Sequence, residues 1–157
     1  TYLNGTYLTS LGTLAEKIAT TTWKVGGGAY ANISQSVPKT AYQYEVGSSA
    51  STTTVDKKIG LMYISDYGFA ADQSGWTTKL SSYDSNTSKN WLYLFSYEWT
   101  ISRYSDNTSY AFYVTSPGSV DYTLVTNSSA ARPSFSLESS ITYVSGSGSA
   151  SDPIVIN

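Results

Sequence analysis

Apolar positions near the start of the chain recur at helical spacing. In Ser10–Ile18, Leu11, Leu14, Ala15 and Ile18 fall at i, i+3, i+4 and i+7, which predicts a short amphipathic helix. Ser10 or Thr13 can cap it, and Thr13 with Glu16 has capping-box spacing. The β-branched run Thr20-Thr21-Thr22 ends the pattern, because such residues lose rotamer freedom in a helix, and Gly26-Gly27-Gly28 closes the unit. Residues 29–40 read as irregular, ending on Pro38. Ala41–Val46 alternates at period two and predicts a strand. A polar loop over 47–54 precedes Ile59–Ile64, a nearly continuous apolar run expected to be a strand buried on both faces. Ser65–Gly68 reads as a turn, and Gln73–Tyr83, with Trp76 and Leu80, as a second short helix.

From residue 91 onward a dense series of apolar and aromatic segments follows. Trp91–Phe95, Glu98–Ser102, Tyr110–Val114, Ser119–Leu124, Pro133–Leu137 and Ile154–Ile156 predict strands, with the turn signal Ser116-Pro117-Gly118 between two of them. Long polar loops cover 81–90 and 145–151. The expected fold is α+β: two short helices packed on a mainly antiparallel, twisted sheet with long polar loops. No linker divides residues 1–157, so one domain is expected.

Composition changes this picture in one respect. Charged residues are 13% of the chain, about half the usual ~25%, while 28 Ser, 20 Thr and 15 Tyr supply neutral hydroxyls. That surface suits a secreted or cell-surface β protein. The net charge of −2, with scattered Lys and Arg, argues against nucleic acid or anionic lipid as partner. No apolar run approaches the ~20 residues of a membrane span, so no direct insertion of this segment is expected. The sequence opens at Thr1 with no signal peptide in view, as expected of a processed or truncated product. With neither Cys nor His, thiol catalysis, thiolate metal sites and the commonest general base are excluded, and no cofactor or metal is expected.

The remaining chemistry lies in carboxylates, arginines and aromatics. Glu98 beside Trp99 is the most suggestive of the eleven acidic residues for a glycosidase pair, but is expected at a strand start with its carboxylate in solvent. Asp66 is expected to fix a turn by accepting backbone N–H bonds. Arg132 can clamp an anionic ligand, but is expected instead to pair with Glu98, Asp66 or backbone carbonyls. Trp23, Trp91 and Trp99 lie inside apolar patterns and read as core. No Lys–Asn pair is marked for an intramolecular crosslink, and five Asn-X-Ser/Thr sequons, at Asn4, Asn32, Asn86, Asn107 and Asn127, are abundant by chance in so hydroxyl-rich a chain. No catalytic residue is assigned.

The strongest binding candidates are Tyr104, Asp106, Asn107 and Tyr110 in the segment YSDNTSY, with Tyr122 and Asn127. Tyr supplies rigid contact area and small polar residues supply adaptable hydrogen bonds, the composition of antibody paratopes. A hairpin of 110–114 and 119–124 brings these loops to one end of the sheet.

Several segments resemble a known group. Leu3–Tyr7, Ala19–Gly27, the stretch Lys58–Ala70 (KIGLMYISDYGFA), Asn90–Tyr93, Glu98–Ser102, Ala131–Leu137 and Ser145–Ile156 are similar to surface proteins of gut Gram-positive bacteria, in which such a domain often follows a prepilin-like helix. Many of those proteins carry a Cys pair in the region matching residues 76–90, absent here. The C-terminal order EWTIS, YAFYV, PGSVDY, ARPSFSL resembles the sheet of C-type-lectin-like and formylglycine-generating-enzyme-like domains, without their catalytic cysteines or calcium motifs. The resemblance implies a non-enzymatic, extracellular cell-surface module that binds a host or bacterial surface glycan or protein. A second implied role is the globular head of a pilin-like filament subunit, with copies of itself as partner.

Overall fold

The computed structural model describes residues 2–157. The chain starts with a wide helical turn, Leu3–Tyr7, continued by α1 (Leu8–Ser10) and, after a break at Leu11–Thr13, by α2 (Leu14–Lys17). The expected helix at 10–18 is therefore one part of a longer, interrupted helical segment. Thr13 has helical dihedrals and makes no side-chain cap. The segment is pinned by its polar groups: Asn4 exchanges two hydrogen bonds with the backbone of Ile59, 2.7 and 2.9 Å, and Lys58 donates to the Ala15 carbonyl at 2.7 Å. The helix ends at Lys17, before the threonine run, with Ile18 already extended and bridged to Leu137, and β1 (Thr21–Lys24) follows, antiparallel to β2 (Thr54–Lys57).

Two stretches expected as strands depart from that reading. Ala41–Val46 lies almost wholly in α3 (Pro38–Glu45), not in a strand. Pro38 occupies the first turn, where its missing N–H costs nothing, and Val37 before it is extended. The buried residues Pro38, Ala41 and Glu45 share one helical face, and because one of them is a carboxylate the sequence hides the period. The apolar run 59–64 is buried at Ile59, Gly60, Met62 and Ile64, but only Gly60–Leu61 (β3) pairs as strand, and α4 (Ile64–Phe69) takes up the expected turn at 65–68. Asp66 accepts the Tyr63 N–H at 2.8 Å, so its expected backbone-fixing role is met at a helix start. The second expected helix is a 3₁₀ turn, Gln73–Gly75, followed by a 3₁₀ stretch, Leu80–Lys89, that is kinked at Ser82.

The remaining strands are β4 (Glu98–Arg103), β5 (Tyr110–Val114), β6 (Val120–Leu124), β7 (Ala130–Ala131), β8 (Pro133–Ser134), β9 (Tyr143–Ser145) and β10 (Val155–Ile156). The largest sheet has the order β6-β5-β4-β7, antiparallel except for β4 with β7. β3 pairs with β8, and β9 with β10. The α+β class holds, with several helical pieces and a sheet system divided into one four-stranded and three two-stranded parts. Among the described residues no helix is long and apolar enough to cross a membrane.

The core lies between the inner face of the large sheet and the helices. Phe112, Val114 and Val120 pack against Ile64 and Tyr67 of α4, Ala41 of α3, and Ile33, Met62, Leu80 and Tyr83. The two buried phenols have partners: Tyr67 donates to the Gly118 carbonyl at 2.7 Å, and Tyr83 to those of Gly68 and Gly75. Burial pushes the Tyr83 phenol up to about 12 and raises that of Tyr67 as well, so both remain donors. Trp91–Phe95, expected as a strand with Trp91 in the core, is a loop: Trp91 is 78% and Phe95 81% exposed. The chain reverses here with Phe95 at φ 55, and only Leu92 and Tyr93 turn inward. Trp23, by contrast, is buried as expected.

Candidate functional site

The β5–β6 hairpin positions the candidate residues. Its turn is Ser116–Gly118, where Gly118 adopts φ +102, a conformation that side chains rarely allow. Register pairs Phe112 with Tyr122 and Tyr113 with Asp121. Because side chains alternate, Tyr110, Phe112, Val114, Val120 and Tyr122 share the inner face, and Ala111, Tyr113, Asp121 and Thr123 the outer.

Tyr104, Tyr110 and Tyr122 are brought together. Tyr104 stacks on Tyr122 with ring centroids 4.6 Å apart and 12° between planes, and Tyr110 meets Tyr122 edge-on at 5.4 Å. Tyr30 and Phe112 complete the cluster, which lies partly buried against the core. These rings therefore have packing work as well as exposed edges. Asp106 and Asn107 sit in the exposed loop between β4 and β5, where Asn107 Oδ1 accepts the Ser109 N–H at 2.9 Å and tightens the turn. The Val125 N–H donates to the Ser109 carbonyl at 3.0 Å, so the 104–110 and 126–129 loops do share one end of the sheet.

Asn127 belongs to the other face. It donates to Thr123 Oγ1 at 2.7 Å, and with Thr123, Ser128, Ser129, Tyr97 and Tyr113 it lines an open groove of about 370 Å³. Tyr97 and Tyr113 lie offset and nearly parallel, centroids 5.8 Å apart and planes at 19°, with Trp99 6.0 Å from Tyr113. Tyr97 is 50% exposed. Burial raises the Tyr113 phenol, with the Asp121 carboxylate and then Tyr97 adding to the shift, so it stays protonated at neutral pH. Sequence reading missed Tyr97 and Tyr113. The signal was there: if Phe112 is core, Tyr113 must face the opposite side, and Tyr97 shares the parity of Trp99.

Glu98 and Arg132 are paired with each other. Glu98 is not in solvent: it is 1% exposed and accepts a fork of two bonds from Arg132, Nε at 2.9 Å and Nη2 at 2.8 Å. Arg132 also donates to the Leu92 carbonyl, which anchors the 91–97 loop. This ion pair, expected as one option for Arg132, needs the buried end of β4 and the chain between β7 and β8 side by side. Glu45, which the sequence did not mark, is 2% exposed at the end of α3. Its two oxygens accept the N–H groups of Ile64 and Ser65, 2.9 Å each, and the Ser102 hydroxyl. Burial raises its carboxyl above the ordinary value, and those hydrogen bonds pull it partly back. Lys24 and Lys58 donate to the carbonyls of Val46 and Ala15, not to an asparagine side chain. Among the described residues no three carboxylates gather in one place.

Comparison with protein-family models, with curated proteins and with solved structures finds no match.

Proposed function

We propose that this chain is a non-enzymatic, extracellular surface module that binds a host or bacterial surface glycan or protein. Contact is made by the end of the large sheet that carries the 104–110 and 126–129 loops and by the outer groove that continues from it. The observation that carries this reading is the groove itself: two near-parallel tyrosines beside Thr, Asn and two Ser, with no charged side chain among its lining residues. Rigid aromatic surface beside adaptable hydrogen-bonding groups is what a recognition face requires. Tyr104, Asp106, Asn107, Tyr110, Tyr122 and Asn127 remain in the proposed face, the tyrosines chiefly as its support. A C-type-lectin-like arrangement belongs to the same proposal. It is supported by the EWTIS, YAFYV and VDYTL segments lying as adjacent strands, with the chain returning at Ala130–Ala131 beside the first of them.

The test is a screen of immobilised protein against printed glycans and bacterial and host surface extracts. Saturable capture that falls in Tyr97→Ala and Asn127→Ala proteins of unchanged melting temperature supports the module. Capture indifferent to both, and to Asp106→Ala and Asn107→Ala, removes the assigned face.

A filament head is the second reading. What favours it is the β9–β10 ribbon, which exposes Tyr143, Val144, Ile154 and Val155 together. Polymers of the native full-length protein would support it, and a strictly monomeric full-length protein would count against it.

A further inference from the structure

The groove permits a narrower statement of ligand class, resting on the binding-module reading above. Two ligand types compete for such a face: an extended peptide, which adds to a sheet edge, and a sugar ring, which lies on an aromatic wall.

The edge offers a peptide few free backbone groups. The Thr115 N–H donates to the Ser119 carbonyl, and the Val125 N–H to the Ser109 carbonyl, across the hairpin. By alternation Val120, Tyr122 and Leu124 turn their backbone groups to the free side of β6. Three of those groups are already taken, among them the Leu124 carbonyl, which accepts the Asn127 N–H at 2.9 Å. The Val120 carbonyl accepts the hydroxyl of Ser34, itself fully buried, and the Tyr122 N–H donates to the carboxylate of Asp121 at 2.8 Å. On the opposite edge β7 is two residues long. Strand addition therefore has little backbone to pair with.

The face is open, and its chemistry is paired. A pyranose ring has a C–H face of positive partial charge and a rim of hydroxyls. Tyr97 and Tyr113 offer the electron-rich ring faces that such C–H groups prefer. Thr123, Ser128 and Ser129 offer hydroxyls that both donate and accept. Asn127 spends one N–H on Thr123, and among the described residues its Oδ1 accepts no hydrogen bond, so an acceptor is left facing a hydroxyl rim. Charge selects further. No cation lines the groove, and the Asp121 carboxylate stands beside Tyr113. Arg103 is paired with Ala111, which separates it from Thr123 in the strand order. At about 370 Å³ the groove is at the small end of the ~300–1,000 Å³ usual for ligand sites, suited to one or two rings.

We propose that the groove bounded by Tyr97, Tyr113, Thr123 and Asn127 is a subsite for a neutral pyranose residue of a glycan, held by ring stacking and by hydroxyl and amide hydrogen bonds.

Saturation-transfer NMR with methyl β-D-galactopyranoside, methyl α-D-mannopyranoside and N-acetyl-D-glucosamine, and with glucuronate as the anionic counterpart, tests this directly. At least one neutral probe is expected to bind saturably. Tyr97→Ala is expected to weaken it about tenfold, Tyr97→Phe to retain it, and Asn127→Ala to weaken it several-fold. Both positions are exposed, and a melting curve for each variant confirms that the fold is kept. Neutral binding unchanged in Tyr97→Ala and Asn127→Ala overturns the subsite. Glucuronate bound in preference, and lost in Arg103→Gln, overturns its neutral character. If no probe binds while capture of a surface partner still needs Tyr97 and Asn127, the sugar assignment falls and the binding module stands. If neither probe nor partner binds, both fall.

Discussion

At the residue scale, the two buried glutamates show how different solutions to one problem are read from structure and not from sequence. A carboxylate out of water must be compensated. Glu98 has a cation, Arg132, in a two-bond fork, whereas Glu45 has only hydrogen-bond donors: the N–H groups at the start of α4 and the Ser102 hydroxyl. Arg132→Ala is expected to destabilise the protein by about 3 kcal/mol, the low end of ~3–5 for breaking a buried pair, because the Arg132 side chain is 29% exposed. Glu98→Leu combined with Arg132→Met is expected to cost less than Arg132→Ala alone, since no charge is then stranded, and urea denaturation of the three proteins checks this. Glu45 makes a pH prediction. Its folded-state carboxyl is raised, so the native state holds a proton that the unfolded state has released. The resulting stabilisation is full below the unfolded value, near 4.5, and is lost as pH rises through the folded value. In Glu45→Gln that term is absent. The replacement also turns an NH₂ group toward a donor, costing ~1–3 kcal/mol at low pH. The stability difference between wild type and Glu45→Gln is therefore expected to be largest at about pH 4 and to shrink toward pH 7; a gap that widens with pH would overturn the account. Asp66, raised by burial in the same direction, is common to both proteins and cancels.

At the element scale, what was legible followed from period and turn chemistry. β4, β5 and β6 lie within a residue of their expected bounds, because Pro117-Gly118 fixes the turn and Tyr110–Val114 is rich in the aromatic and β-branched residues that strands favour. α3 was not legible: its buried face includes Glu45, and the visible alternation of Tyr42 and Tyr44 mimicked a strand. Trp91–Phe95 misled in the opposite sense, since its apolarity is displayed outward from a loop held through Leu92 and Arg132. Half of the candidate site shared this fate. Loop composition marked Asn127 and the 104–110 tyrosines, but Tyr97 and Tyr113 required knowing which face of β5 was core. A further prediction concerns the join between β1 and the helical layer. Gly27 has φ +65, and a Cβ there would lie 1.8 Å from the Arg103 carbonyl oxygen, a backbone atom that cannot swing aside. The Gly28 N–H donates to that same carbonyl at 3.1 Å, so the close approach is what ties this loop to the end of β4. Gly27→Ala is expected to cost more than the ~1–3 kcal/mol of backbone strain alone, with Gly5→Ala, where a Cβ meets nothing, as a mild control; equal melting temperatures for the two would refute the packing argument.

At the scale of the whole molecule, stability is unevenly spread, and the division bears on the two functional readings. The inner sheet face, α3 and α4 share one apolar core and are crossed by buried hydrogen bonds donated by Ser34, Tyr67 and Asn90 and accepted by Glu45. The chain from 138 onward has no residue in that core. It is joined to the rest where residues 136–138 pair with 17–19, through Ile18 and Leu137 and the backbone bonds of Ala19 and Glu138, and where Lys17 donates to the Asn157 carbonyl. The β9–β10 ribbon beyond is exposed on both faces, and an isolated two-stranded hairpin is marginal in water. Hydrogen exchange is therefore expected in two tiers. Amides of β4 and β5, and the β6 amides of Asp121 and Thr123 that face β5, should exchange only on global unfolding, while those of 142–157 exchange orders of magnitude faster, by local opening. Removal of residues 139–157 is then expected to lower the melting temperature by only a few degrees and to leave the outer groove, whose lining residues all lie within 97–129, competent to bind. Ribbon amides as protected in the monomer as those of β5 would contradict this division. Protection that appears only at high protein concentration, and is lost with Val144→Ser and Ile154→Ser, would instead show the ribbon completed by a second copy, which is the outcome the filament reading requires and the binding module does not.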